Sequence, residues 1–262
     1  MSLDPIVLAP NTLKGALRDG RRQIGLWSAL CSNVAGEIIS NAGFDWILID
    51  TEHAPNEIPG VLSQLQAMSR GTAEPVVRCA WNDTVLIKRI LDIGARSILV
   101  PFVQSADEAK RAVEATRYPP LGNRGVAASH RANRWGRVGN YHAGAHEDIC
   151  VLVQIETRAA LAGVEAIAAV DGVDGLFIGP SDLASDLGHL GQLRHPDVQA
   201  AFEDGCRRIR GAGKAAGILA PDPDDAARYL QWGYTFVAVG TDAGVLAQNS
   251  ARLAAQFKAQ TS

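Results

Sequence analysis

The residues of this sequence that could do chemistry stand where short apolar runs stop. WILID is followed by TEH, which brings Asp50, Glu52 and His53 together. VVRCA delivers Arg78, VLVQIE delivers Gln154 and Glu156, and GLFIGPSDL delivers Ser181 and Asp182 after a Gly-Pro turn. If the runs are β-strands, Gln154 and Glu156 point to the same side, because side chains alternate along a strand. Glu156 and Asp182, at equivalent heights on neighbouring strands, could share one divalent cation. Two carboxylates balance its charge and leave positions for water and substrate oxygens, an arrangement that suits Mg²⁺ or Mn²⁺. Gln154 is then a natural supporting partner. The plainer alternative is an ion pair for Glu156 and a helix cap for Asp182.

Asp50 and His53, three residues apart, read as an acid/base pair. A carboxylate bonded to one imidazole nitrogen fixes the tautomer and leaves the other nitrogen for proton transfer. Arg78 could polarise a carbonyl oxygen or steady an enolate, or it could simply pair with Glu52 or Glu74. Ser181 fits a helix N-cap, and the backbone N–H groups after Pro180 would then offer a seat for a small carboxylate. Schiff-base chemistry needs a Lys at the site. Lys14, Lys88, Lys110, Lys214 and Lys258 fall in the leader, in helical stretches or ahead of a strand, so a cation has to serve as the electron sink. His142 and His146 lack the HExxH pattern, and Cys31, Cys79, Cys150 and Cys206 form no CxxC pair; both facts argue against zinc.

The elements that must position these groups follow from periodicity. Eight β-rich runs occur near residues 24–29, 46–50, 75–80, 97–102, 149–156, 175–178, 215–219 and 235–239. Helical spacing fills the intervals at 33–42, 56–69, 83–93, 106–116, 158–168, 196–212, 223–231 and 243–257. Gly43, Gly94 and Gly233 each follow such a stretch where a left-handed residue is wanted. Strands that are apolar throughout and alternate with helices imply a parallel sheet, and eight such units in 262 residues imply a single-domain, closed (β/α)₈ TIM barrel. Such a barrel gathers its chemistry at the carboxyl ends of the strands. One long irregular segment, 118–148, lies between the fourth and fifth strands; its length and its arginines suggest a functional loop. VAVGTDAG after the last strand resembles a phosphate-cradling turn, though it is also a frequent strand-to-helix turn.

Composition narrows the partners. With 47% hydrophobic and 20% charged residues and a net charge of −3, the chain reads as a soluble globular protein with no general attraction for nucleic acid or a membrane surface. No apolar run approaches the ~20 residues needed to span a bilayer. The amino terminus does not read as a signal peptide, which leads to an expectation of a cytoplasmic protein.

In this order, GLWSAL, DWILIDTEHAPN, VVRCAWND, ARSILVPFVQSADEA, YPPLGNRGVA, VQIET and GLFIGPSDLASDLG resemble the metal-dependent class II pyruvate aldolases of the 4-hydroxy-2-oxoheptanedioate aldolase family. The likeness spans residues 25–242. It implies a barrel that reversibly cleaves 4-hydroxy-2-oxo acids to pyruvate and an aldehyde with Mg²⁺, Mn²⁺ or Co²⁺. By motif, Glu156 and Asp182 would be the metal ligands, Gln154 their support, Arg78 the keto-oxygen partner, and His53, oriented by Asp50, the acid/base. Backbone amides at Ser181 and Asp182 would take the pyruvate carboxylate. Trp27, Val126 and Leu219 would line the aldehyde pocket, together with the loop around Arg124. The resemblance also implies a last helix exchanged between subunits and a hexamer built as a trimer of dimers. The rival readings are a related acyl-CoA lyase of malyl-CoA or citryl-CoA type and a non-catalytic metabolite-binding barrel. The first would need a basic nucleotide site, for which the long segment is the candidate; the second would have lost the base or the ligands.

Overall fold

The computed structural model describes residues 6–259, so the first residues of the leader and the last three of the chain lie outside the described residues. Eight parallel strands close on themselves in sequence order: β1 (Gln23–Ser28), β2 (Trp46–Asp50), β3 (Glu74–Arg78), β4 (Ser97–Val100), β5 (Cys150–Ile155), β6 (Gly175–Ile178), β7 (Ala215–Leu219) and β8 (Phe236–Thr241). The helices are α1 (Thr12–Arg18), α2 (Asn33–Ser40), α3 (Ile58–Ala67), α4 (Thr84–Asp92), α5 (Ala106–Thr116) and α6 (Tyr141–Asp148). They continue as α7 (Arg158–Ala162), α8 (Val164–Ala168), α9 (Pro180–Asp186), α10 (Pro196–Gly211), α11 (Pro223–Trp232) and α12 (Asp242–Lys258). Among the described residues, no helix is long and apolar enough to cross a membrane.

Alternation along each strand sorts its residues into two cores. Ile47 and Ile49 face outward into the large layer under the helices, whereas Trp46 and Leu48 point into the barrel, with Val76, Leu99, Leu152, Phe177 and Phe236. Leu13 and Leu17 of α1 close the amino-terminal end of this inner core, which places Lys14 at the pole opposite the strand ends. Trp46 fills so much of the interior that a Cβ on Gly25 would lie 2.2 Å from its ring. The inner core therefore plugs the barrel, and the polar residues one step further along each strand stand on it as a floor.

The helix signals hold: Asp83, Ser105 and Thr241 cap α4, α5 and α12 through their side chains, and Gly43, Gly94 and Gly233 adopt φ of 95°, 96° and 108°. Two expectations need correction. The stretch 158–168 is two short helices, because Gly163 ends α7 and starts α8. The long segment does not reach the strand carboxyl ends. Since α5 lies between β4 and this segment, it begins at the opposite pole, where Ala132 N–H donates to Asp92 O at the end of α4. Two of its arginines stitch it down: Arg124 is fully buried, pairs with Asp92 at 2.7 Å and lies over the Tyr118 ring, while Arg131 donates to Ile93 O. His142 Nε2 contacts Ala127 O at 3.0 Å within the same segment.

Candidate active site

Asp50 and Arg78 are register partners on β2 and β3, which brings a carboxylate and a guanidinium together on the barrel floor. Arg78 Nε donates to Asp50 Oδ1 at 2.9 Å and Nη2 to Oδ2 at 2.6 Å, with both residues buried. Nη1 of Arg78 reaches Glu52 Oε2 at 2.8 Å. The Glu52 contact is an ion pair and not a hydrogen bond, so two of the five N–H donors of Arg78 are bonded and three are not. Beneath it lies Trp27, whose ring centroid is 5.0 Å from the guanidinium carbon and whose Nε1–H donates to Asp50 Oδ2 at 3.2 Å. Burial alone would raise the Asp50 pKa, but the Arg78 bonds and charge, the Glu52 N–H and the Trp27 N–H hold it below its ordinary value.

Two sequence expectations change here. Asp50 does not hold the His53 imidazole: its Oδ1 accepts the main-chain N–H groups of Glu52, at 3.0 Å, and His53, at 3.4 Å, so it shapes the turn on which an exposed His53 stands. The carboxylate is already committed to Arg78, which no local spacing could reveal. Trp27 is not a wall of an aldehyde pocket either; it is buried in the inner core, 5.6 Å from the Phe177 ring, and supports Asp50 and Arg78 from below.

The second half of the site rises from β5. Alternation aims Leu152, Gln154 and Glu156 inward, the first in the core and the others above it. Glu156 is 3% exposed. Its Oε2 accepts the Phe102 N–H at 2.7 Å and its Oε1 accepts Gln154 Nε2–H at 2.6 Å. Desolvation pushes its pKa up to about 7, and the negative charges of Glu52 and Asp182 push in the same direction. Glu52 is raised as well, by burial first and partly by Asp50 and Asp182, although Arg78 and His53 oppose this. Three carboxylates thus face one another with more negative charge than Arg78 offsets. Gln154 Oε1 is buried without a hydrogen-bond partner. An oxygen-rich, electron-rich cluster with an orphaned amide oxygen has the donor chemistry of a hard divalent cation, so the residues present fit that group.

Glycine makes room for this carboxylate. A Cβ on Gly179 would lie 2.5 Å from both Cγ and Oε1 of Glu156. Gly179 is also the N-cap of α9, so Ser181 is the second residue of the helix and not its cap. Pro180 has no N–H and Leu183 N–H bonds to Gly179 O, which leaves the N–H groups of Ser181 and Asp182 in the first turn for an outside acceptor. Both side chains are exposed at the mouth. Leu219 ends β7 half-buried against the inner core, as a rim residue should. Val126 is not brought to the mouth: it is 65% exposed in the long segment, beside Tyr118, Leu121 and His142.

Sequence reasoning passed over the Phe102 N–H and Gly179. Only the Gly ahead of Pro-Ser-Asp hinted at the latter. The GTDAG segment proves to be a clasp. Asp242 accepts from Ala29 N–H at 2.8 Å, Leu30 N–H at 3.2 Å and the Ser28 hydroxyl at 3.2 Å, tying the end of β8 to the turn after β1.

An acidic, cation-fitting mouth with a fixed Arg, at the strand carboxyl ends of a closed eight-stranded barrel, stands where the α/β barrel enzymes carry their chemistry. Comparison with known proteins places it more closely: residues 23–249 match the HpcH/HpaI aldolase/citrate lyase family model, and the chain belongs to that family. It is 56% identical over 248 residues to the 4-hydroxy-2-oxo-heptane-1,7-dioate aldolase of Klebsiella pneumoniae subsp. pneumoniae, covering 94% of each chain. It is 53% identical over 251 residues to the protein of the same name from Salmonella heidelberg, covering 95% of each. The crystal structure of an HpcH/HpaI aldolase/citrate lyase family protein from Burkholderia cenocepacia J2315 superposes with a TM-score of 0.92 at 41% identity, covering 95% of this chain and 99% of that one.

Proposed function

We propose that this protein is a metal-dependent lyase that reversibly cleaves 4-hydroxy-2-oxo acids to pyruvate and an aldehyde. The observation that carries the reading is Glu156: a buried carboxylate beside Glu52 and Asp182, with an unpartnered Gln154 oxygen next to it. Glu156 and Asp182 would hold Mg²⁺, Mn²⁺ or Co²⁺, with Gln154 in support. When bound, the cation supplies a Lewis acid that favours negative charge on the substrate's C2 oxygen. The substrate carboxylate accepts the Ser181 and Asp182 N–H groups, and the unbonded N–H donors of Arg78 take the keto oxygen. His53 removes the proton from the C4 hydroxyl. The C3–C4 bond then breaks, the aldehyde leaves, and the bonding electrons pass into the C2 enolate. Protonation at C3 completes pyruvate.

Leu219 stands on the aldehyde side of the rim. The acyl-CoA alternative loses part of its support, because Arg124 and Arg131, which might have held a nucleotide, are spent on Asp92 and Ile93 at the opposite pole. Incubation with a panel of 4-hydroxy-2-oxo acids is expected to release pyruvate with Mg²⁺ or Mn²⁺ and to stop with EDTA. Release that survives EDTA would refute the reading.

The same proposal includes a homo-oligomer, a hexamer built as a trimer of dimers, with α12 exchanged between subunits. Val245, Leu246, Leu253 and Phe257 leave α12 with an exposed apolar face, as Val34 and Ile38 do for α2. Light scattering is expected to give a mass near six times the 27.8 kDa of one chain. A monomer at micromolar concentration would contradict it.

A further inference from the structure

We propose that Phe102, locked in place by Trp81, is a positioning residue for Glu156: its left-handed backbone aims the N–H that holds this carboxylate ready for a cation. The inference rests on the cation reading of Glu156 and adds what keeps that side chain in place. Phe102 stands just past β4 with φ of 54°. An L-residue there crowds its own Cβ, and a bulky side chain makes the conformation a genuine outlier. Among the described residues with that conformation, Cys31, Arg134, Trp135 and Asn140 included, Phe102 alone donates its N–H to a carboxylate of the site.

The sheet ladder shows what the turn achieves. Val100 pairs with Val153 and Arg96 O accepts the Cys150 N–H, so the main-chain groups of Arg96, Ile98 and Val100 point to β5. A regular continuation would bond the Phe102 N–H to Gln154 O. Instead the Val103 N–H takes that oxygen at 3.1 Å, one residue later, as in a bulge whose first residue is left-handed. The Phe102 N–H is thereby released from the ladder and donates to Glu156 Oε2 at 2.7 Å. Gln154 Nε2–H holds Oε1 at 2.6 Å, and Gly179 lies against the same carboxyl with no Cβ to displace it. Each oxygen accepts one hydrogen bond and keeps a lone pair for a cation.

Strain of this kind persists only where the surroundings enforce it. The Phe102 ring is 40% exposed, yet it lies against Trp81, itself 53% exposed, with ring centroids 5.7 Å apart and planes 26° apart. Trp81 belongs to the turn between β3 and α4, where its O accepts the Asp83 N–H at 2.9 Å and Asp83 caps α4. The stack therefore ties the left-handed residue to a fixed turn on the next strand.

Mn²⁺ titration of the intact chain without substrate, followed by electron paramagnetic resonance, tests this. Glycine adopts the left-handed conformation freely, whereas a β-branched residue resists it most. Phe102→Gly is expected to bind Mn²⁺ within about threefold of wild type, and Phe102→Val to bind it at least about tenfold more weakly, the scale of losing a group that orients a ligand. Trp81→Ala is expected to weaken Mn²⁺ in the wild-type background and to change little further in Phe102→Gly, whose backbone needs no lock. Should Phe102→Val fail to fold, Trp81→Ala with and without Phe102→Gly carries the same test. Equal affinities of Phe102→Gly and Phe102→Val would overturn the proposal, as would a Trp81→Ala loss that is the same in both backgrounds. Glu156→Gln separates this inference from the reading beneath it. If that variant loses Mn²⁺ while the two Phe102 variants bind alike, only the positioning role falls; if it binds Mn²⁺ like wild type, the cation reading falls and takes this inference with it.

Discussion

Glu156→Gln is expected to lower pyruvate release by about 10³-fold or more, the scale of losing a main electrostatic contributor to a transition state, while making the metal-free barrel harder to unfold at pH 8. The two effects share one cause. In the folded chain the Glu156 carboxyl has a pKa of about 7, above its ordinary 4.5, because burial and the nearby Glu52 and Asp182 disfavour its charge. A raised carboxyl pKa means that the folded state holds the proton more tightly than the unfolded state. The contribution of Glu156 to stability is therefore greatest in acid and falls as pH rises from about 4.5 through 7. The full cost is on the order of 3 kcal/mol once the group is charged in both states. A neutral amide of the same shape avoids that cost. Its oxygen can still accept the Phe102 N–H, and a flip of the Gln154 amide would turn the orphaned Oε1 toward the new NH₂ group. Calorimetry in EDTA at pH 5.5 and 8 checks this: the variant should gain on wild type as pH rises. Adding Mn²⁺ should stabilise wild type by mass action and leave the variant nearly unmoved. A variant less stable than wild type in EDTA at pH 8 would remove the physical argument for a cation at this carboxylate.

What was legible in the sequence, and what was not, divides by range. The barrel follows from local signals: apolar runs, helical spacing, and Gly43, Gly94 and Gly233 as helix stops. The height of the site residues follows too, since a period of two carries Leu152, Gln154 and Glu156 to one side. Partner choice does not follow. Asp50 and His53 are neighbours in sequence, yet Asp50 belongs to Arg78, because register across the sheet sets them side by side. The segment 118–148 was misplaced for a similar reason. Counted from β4 it precedes a strand, but α5 has already returned the chain to the far pole. Val126 went with it. The Gly179 cradle was invisible because its reason is a carboxylate 23 residues earlier.

Arg78→Ala is expected to destabilise the protein by about 3–5 kcal/mol and to abolish pyruvate release. Arg78 is the cation that the buried Asp50 and the half-buried Glu52 share, and removing it strands a carboxylate in a low-dielectric floor. The sign of the pH dependence separates this from a simple packing loss. In wild type the folded Asp50 pKa is lowered, so its pairing contributes stability above the ordinary value of 3.8, and this is lost as pH falls through the folded value. In the variant, burial acts unopposed by Arg78, and acid neutralises the stranded group. The penalty should thus be largest near neutral pH and shrink toward pH 4. Urea unfolding at pH 4.5 and 7.5 measures both, and a penalty below 1 kcal/mol at pH 7.5 would mean that Arg78 is not the partner holding Asp50. Arg78→Lys keeps the charge but not the fork that spans Asp50 and Glu52 together. It should recover most of the stability and little of the activity, because a lysine amine turned to the carboxylates has no donor fixed toward a keto oxygen. The double variant Asp50→Asn/Arg78→Ala, read with its two single variants, closes the cycle: with Asp50 no longer a stranded charge it should fold more stably than Arg78→Ala and remain inactive, which separates the stability of the Asp50–Arg78 pair from the chemistry of the guanidinium.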